Sequence, residues 1–174
     1  MPIASSELIL NPDGSIYHLN LKPADIADTI ITVGDQDRVS DVTSYFDNIS
    51  FETQKREFKT QTGFYKGKKI TVISTGIGAD NIDIVLNELD ALVNVNFETR
   101  EIKKHHHSLN IIRIGTSGGI QPHMKVDSFL MSEAGIGFDG LLHYYKNTIE
   151  NYEVTEALCK HLQLSSKKPK PYTV

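Results

Sequence analysis

Thr29-Ile30-Ile31-Thr32-Val33-Gly34-Asp35-Gln36-Asp37-Arg38 joins a β-branched run to a glycine turn, and Val39, Val42 and Phe46 then recur on one face. β-Branched side chains favour the extended chain, whereas apolar residues three and four apart favour a helix with one buried stripe. The pattern predicts a strand over 29–33 that passes through Gly34 into a helix capped by Asp37. It returns at Lys69-Ile70-Thr71-Val72-Ile73, followed by Ser74-Thr75-Gly76-Ile77-Gly78-Ala79-Asp80. Behind that turn Ile82, Val85, Leu86, Leu89, Leu92 and Val93 keep the spacing of a core-facing helix, with Asp80 or Asn81 as the expected cap. A third copy runs through Leu109-Asn110-Ile111-Ile112-Arg113-Ile114 into Gly115-Thr116-Ser117-Gly118-Gly119. No helical pattern follows it, and the chain turns toward a strand expected at Ser128-Phe129-Leu130-Met131.

Between the first two copies, residues 51–59 and 63–65 read as strands, with a hairpin turn at Lys66-Gly67. Adjacent hairpin strands beside crossover units make the sheet mixed. The polar segment 94–108 carries His105, His106 and His107, but three adjacent side chains do not point at one centre, so a solvated insertion is the expectation rather than a metal site. Near the end, Val154, Ala157, Leu158 and Leu162 predict a helix. The linker Ser165-Ser166-Lys167-Lys168-Pro169-Lys170-Pro171 then leads to Tyr172-Thr173-Val174, which reads as a strand beginning. The expectation is a single α/β domain over 1–174, incomplete at its C-terminus.

With 39% hydrophobic and 23% charged residues, 174 residues suffice for one substantial core. A formal net charge of −4 argues against tracking nucleic acid or an anionic membrane, which takes a broad positive field. The single cysteine, Cys159, cannot close an intramolecular disulfide, and no run approaches the roughly 18–20 apolar residues of a membrane span. A cytoplasmic location is expected.

All three glycine turns follow strands, and in open α/β sheets ligands lie outside the carboxyl ends of the strands. Glycine lets successive N–H groups converge on an anion. Arg38 stands four residues after Gly34, Arg113 two before Gly115, and Thr116 adds a hydroxyl to the third turn. A guanidinium fork suits phosphate, so these residues predict an oxyanion pocket. Arg113 interrupts a strand otherwise apolar enough for the core, where a charge needs a partner; a salt bridge to Asp35 or Asp37 is the competing structural role. The P-loop spacing is absent, and Gly76-Ile77-Gly78 lacks the third glycine of the dinucleotide fingerprint. No G-x-S-x-G elbow occurs.

Taken together, Tyr17-His18-Leu19, Gly34-Asp35-Gln36-Asp37-Arg38, Arg56-Glu57-Phe58, Ser74-Thr75-Gly76-Ile77-Gly78, Arg113-Ile114-Gly115-Thr116 and Asp139-Gly140 resemble, in order, the nucleoside phosphorylase-I family, and within it the uridine phosphorylases. The resemblance implies a three-layer α/β/α fold around a central mixed sheet, of which this chain would cover the N-terminal three-fifths. It implies phosphate binding by Gly34, Arg38, Arg113, Gly115 and Thr116, with Arg56 reaching into a neighbouring subunit's site and His18 crossing the same interface toward the ribose 5′-hydroxyl. Thr116, Ser117 and Gly118 would line the floor beneath the nucleoside, and Glu57 could hold a potassium ion.

The implied activity is that of a pentosyltransferase: phosphate-dependent cleavage of uridine to uracil and ribose 1-phosphate, with no organic cofactor. Arg113 and Thr116 are the expected catalytic pair, in a homodimer or trimer of dimers with shared sites. The base-reading segment of the family lies beyond Val174, so a purine nucleoside phosphorylase or a nucleosidase of the same fold stands as the alternative. So does a non-catalytic anion-binding or assembly module. The segment 94–110 is longer than in the compact bacterial members.

Overall fold

In a computed structural model the described residues are 1–146, 152–164 and 171–173. They form two compact units, Met1–Thr116 and Ser117–Val174, where the sequence pattern suggests one continuous domain.

The first unit contains β1 (Thr29–Val33), α1 (Asp37–Thr43), β2 (Asn48–Lys55), β3 (Phe58–Tyr65), β4 (Lys68–Ser74), α2 (Ala79–Asn94), β5 (Val95–Asn96), β6 (Glu101–Ile102) and β7 (Asn110–Arg113). Five strands make one mixed sheet in the order β2-β3-β4-β1-β7. β4 and β7 flank β1 and run parallel to it, while β2, β3 and β4 are joined as antiparallel neighbours. Side chains alternate across a strand, so each strand feeds two faces. Ile30 and Ile73 pack with Val85, Leu89 and Leu92 of α2, whereas Ile31, Val33 and Val72 pack with Val39 and Val42 of α1. Helices therefore cover opposite faces of the sheet, which gives the expected three layers. Leu89 and Leu92 are wholly buried, and each such burial is worth about 1.5–3 kcal/mol.

Local chemistry departs from the pattern at four points. The helix start at Asp37 is not capped by its own carboxylate; Asp35 Oδ1 accepts the Asp37 backbone N–H at 2.8 Å. α2 begins after Gly78 with no side-chain cap, because Gly78 at φ +108° already turns the chain, and Asn81 instead donates Nδ2 to the Ile77 carbonyl at 3.1 Å. The strand expected over 51–59 is broken: Lys55 pairs with Phe58 across a two-residue turn, with Arg56 in the left-handed region at φ 55°. The Lys66-Gly67 turn forms as expected, both residues having positive φ, as a type I′ hairpin requires. Finally, β7 is an edge strand. Ile111 and Ile112 are 42% and 52% exposed, so Arg113 stands in solvent and not in a core.

The insertion is anchored at its ends. Asn94 at the end of α2 accepts the His107 N–H at 2.7 Å and donates to the His107 carbonyl at 3.1 Å. All three histidines are exposed, and His107 Nε2 lies 3.0 Å from Asp28 Oδ1.

The second unit holds β8 (Ile136–Gly137), a 3-10 turn (Leu141–Tyr144), α3 (Tyr152–His161) and β9 (Tyr172–Thr173). β8 and β9 pair antiparallel, placing Gly137 opposite Tyr172. The strand expected at 128–131 does not form: no strand pairs with it among the described residues, and Phe129 and Met131 are fully exposed. The linker at 165–170 lies outside the described residues. The buried Tyr172 hydroxyl donates to Asp139 Oδ1, which also accepts the Leu141 N–H at 2.7 Å. Those hydrogen bonds, the tyrosine's first, hold the Asp139 carboxyl below its ordinary value. Burial, then the bond to Asp139, pushes the Tyr172 phenol up.

Candidate active site

Parallel pairing brings the three glycine turns to one end of the sheet. Val33 lies beside Ser74, and Thr32 beside Arg113, so the chain leaves β4, β1 and β7 side by side at Thr75-Gly76, Gly34 and Ile114-Gly115. The crossover helices α1 and α2 cover opposite faces here, and a sheet whose connections diverge in this way opens a crevice at the strand ends. Backbone bonds lock the edge of that crevice: Thr75 N–H to the Val33 carbonyl at 2.8 Å, and Ile114 N–H to the Thr32 carbonyl at 2.9 Å.

Arg113 spans the crevice. A Cβ on Gly34 would lie 3.6 Å from its Nη2, so glycine leaves the guanidinium in direct reach of the loop backbone. Nη1 lies 3.5 Å from Thr75 Oγ1, and Nε is 3.9 Å from where a Gly115 Cβ would be. Thr75 Oγ1 is itself within 3.3 Å of the Val33 carbonyl and 3.0 Å of the Gly76 carbonyl. Among the described residues no arginine takes part in an ion pair, so the structural alternative of a salt bridge to Asp35 or Asp37 is not realised. The fork keeps its charge available to a ligand.

Arg38 occupies the first turn of α1, half-buried, in the segment that follows Gly34. Thr116 closes the first unit, exposed, after Gly115; Ser117 and Gly118 open the second unit and are exposed. Arg56 and Glu57 form the β2–β3 turn, which is tied to this same end of the sheet. Gln36 Nε2 donates to the Arg56 carbonyl at 2.8 Å, and Ser74 Oγ donates to the Glu57 carbonyl at 2.6 Å. The Arg56 guanidinium lies 5.9 Å from the centre of the Tyr17 ring, and His18 packs edge-on against that ring at 4.8 Å. No hydrogen bond, ion pair or ring contact among the described residues joins Arg56 or His18 side chains to Arg113. The geometry thus separates two groups: Gly34, Thr75, Arg113 and Gly115 around the crevice, and Arg56, Tyr17 and His18 beside it.

Glu57 packs its Cγ over Gly76, 2.9 Å from where a Cβ would sit. Among the described residues no three His, Cys, Asp or Glu side chains converge, and Glu57 brings one carboxylate to this position. Thr75 and Gln36 escaped the sequence reading as site residues. Their signal was weak, since a threonine before glycine and a glutamine in a turn are common; only strand order puts Thr75 against Arg113.

Residues 28–171 match the model of the phosphorylase superfamily. The chain belongs to that superfamily. It is 32% identical over 158 residues to uridine phosphorylase of Thermococcus kodakarensis, covering 88% of this chain and 52% of that protein. Uridine phosphorylase of Haemophilus influenzae is 34% identical over 149 residues, 82% of this chain and 54% of the relative. The chain spans about half the length of these curated relatives. Among solved structures, the Trypanosoma brucei nucleoside phosphorylase that shows uridine phosphorylase activity superposes with a TM-score of 0.82 at 31% identity, over 95% of this chain and 57% of that one. The mixed sheet and its helices are thus those of the nucleoside phosphorylase fold. No described helix is long and apolar enough to cross a membrane.

Proposed function

We propose that the protein is a nucleoside phosphorylase that uses inorganic phosphate to cleave uridine into uracil and ribose 1-phosphate. The observation that carries the reading is Arg113: a guanidinium with no ion pair among the described residues, lying over Gly34 and beside Thr75, where three parallel strands end. The uridine phosphorylases among its relatives support the choice of substrate. In this reading Gly34, Arg38, Arg113, Gly115 and Thr116 hold phosphate, Thr75 helps to orient the Arg113 fork, and Thr116 also lines the nucleoside floor.

A phosphate oxygen forms a bond to the anomeric carbon as the glycosidic C–N bond breaks, and the electron pair leaves with the base. Arginine contributes by orienting the nucleophile and keeping its negative oxygens beneath a developing cation. No covalent enzyme intermediate is needed. Arg56 and His18, which gather at the Tyr17 ring, act on the site of a second subunit, so the working form is a homodimer or an assembly of dimers in the cytoplasm.

The test is base release from uridine and from inosine by the 174-residue chain, with and without phosphate. Uracil release that requires phosphate is the expected result. Release without phosphate makes the protein a nucleosidase, preference for inosine moves it to purines, and phosphate binding without turnover makes it an anion-binding module.

A further inference from the structure

Glu88, on α2 directly before the buried Leu89, reaches the segment that carries His18, seventy positions earlier in the chain. Its carboxylate is 13% exposed and receives three N–H groups. The His18 backbone N–H is 3.1 Å from both oxygens, and the Leu19 backbone N–H is 2.9 Å from Oε2. The His18 ring approaches through Nδ1, 2.7 Å from Oε1. Leu19 beside it is wholly buried in the cluster that contains Val85, Leu89 and Leu92, so the backbone at this point cannot drift from α2. On the other side Lys55 Nζ donates to the Tyr17 carbonyl and to Asn11 Oδ1 at 3.0 Å.

An ionised carboxylate only accepts hydrogen bonds, and the two backbone groups only donate. The ring nitrogen facing that carboxylate must then carry the proton. In the neutral imidazole the other nitrogen, Nε2, is left as an acceptor, and it has no partner among the described residues. We propose that Glu88 is a positioning residue, which fixes His18 in the Nδ1–H tautomer and thereby presents Nε2 as the acceptor for a sugar hydroxyl of the nucleoside. This rests on the role given to His18 above, and it adds the residue that sets that histidine's orientation and hydrogen-bonding sense.

Two measurements test it. Long-range ¹H–¹⁵N correlation spectra recorded at mildly alkaline pH, where an imidazole is neutral, with His18 assigned through His18→Gln, report the tautomer without any substrate. The expected result is a predominantly Nδ1–H ring that loses this preference in Glu88→Gln. In the second, uridine and 5′-deoxyuridine are compared as substrates of the wild-type protein and of Glu88→Gln. The variant should lose roughly three- to tenfold in kcat/KM for uridine, about the worth of one neutral hydrogen bond, and almost nothing for the deoxy analogue. A predominantly Nε2–H ring in the wild type overturns the proposal, as does an equal loss on both substrates, which a merely structural carboxylate would give. If neither nucleoside is cleaved, the enzymatic reading fails, while the tautomer alone still decides the assignment of Glu88.

Discussion

Replacing Arg113 with alanine separates a ligand-binding charge from a structural one. The side chain stands on an exposed edge strand and pairs with no carboxylate among the described residues, so its removal orphans no buried charge. Its one side-chain hydrogen bond among the described residues, to Thr75 Oγ1, is long at 3.5 Å. Folding stability should therefore move by no more than about 0.5 kcal/mol, as for an ordinary surface substitution. Phosphate loses one charge-assisted interaction worth about 1.5–3 kcal/mol, which at 1.4 kcal/mol per decade is a roughly 10- to 150-fold weaker affinity. Arg113→Lys should recover the charge without the planar fork and fall between the two. Calorimetric titration with phosphate, paired with urea denaturation of each variant, measures both quantities. Unchanged phosphate affinity in Arg113→Ala would refute the site, and so would a loss of affinity that merely tracks a large loss of stability.

If the site is shared between subunits, an equimolar mixture of reassociated Arg56→Ala and Arg113→Ala should regain about a quarter of wild-type activity by statistical pairing, since each mixed dimer has one intact site; a mixture as inactive as its components would assign Arg56 to its own chain. Gly63→Ala should destabilise the first unit by about 1–3 kcal/mol, because a Cβ there would lie 2.1 Å from the Asn48 carbonyl oxygen and 2.9 Å from Phe46 Cδ2. An unchanged urea midpoint would contradict that packing. In the second unit, Asp139 is depressed below 3.8, so it stabilises the fold above that pH and its contribution is lost as the pH falls through the folded value. Tyr172, raised above 10.0, contributes below that pH and stops contributing in stronger alkali. Asp139→Asn should flatten the acid limb of the stability profile, and an acid limb identical to wild type would show that the pair is not coupled to folding.

Legibility followed the range of the interactions involved. Gly34, Gly76 and Gly115 could be recognised as turns at strand ends, because β-branching and helical spacing are written within a few neighbouring residues. The caps were misassigned to Asp37 and to Asp80 or Asn81, since which acidic or amide side chain meets a free N–H depends on a few degrees of backbone rotation. The segment 128–131 had the composition of a strand, but a strand exists only with a partner, and no strand among the described residues supplies one.

From local pattern alone came the α/β class, the mixed sheet, the two amphipathic helices and the motif order that marks the superfamily. Tertiary structure decided which loops meet. β4 and β7 flank β1 although they lie far from it in the chain, and this pairing sets Thr75, Gly34 and Arg113 around one crevice while Arg56 and His18 gather at Tyr17. Glu88 was one more charged position on an amphipathic helix until folding carried it to His18. Periodicity records which face of an element is buried, but not which distant element buries it; that choice is made by hydrogen bonding and packing between segments that the sequence keeps apart.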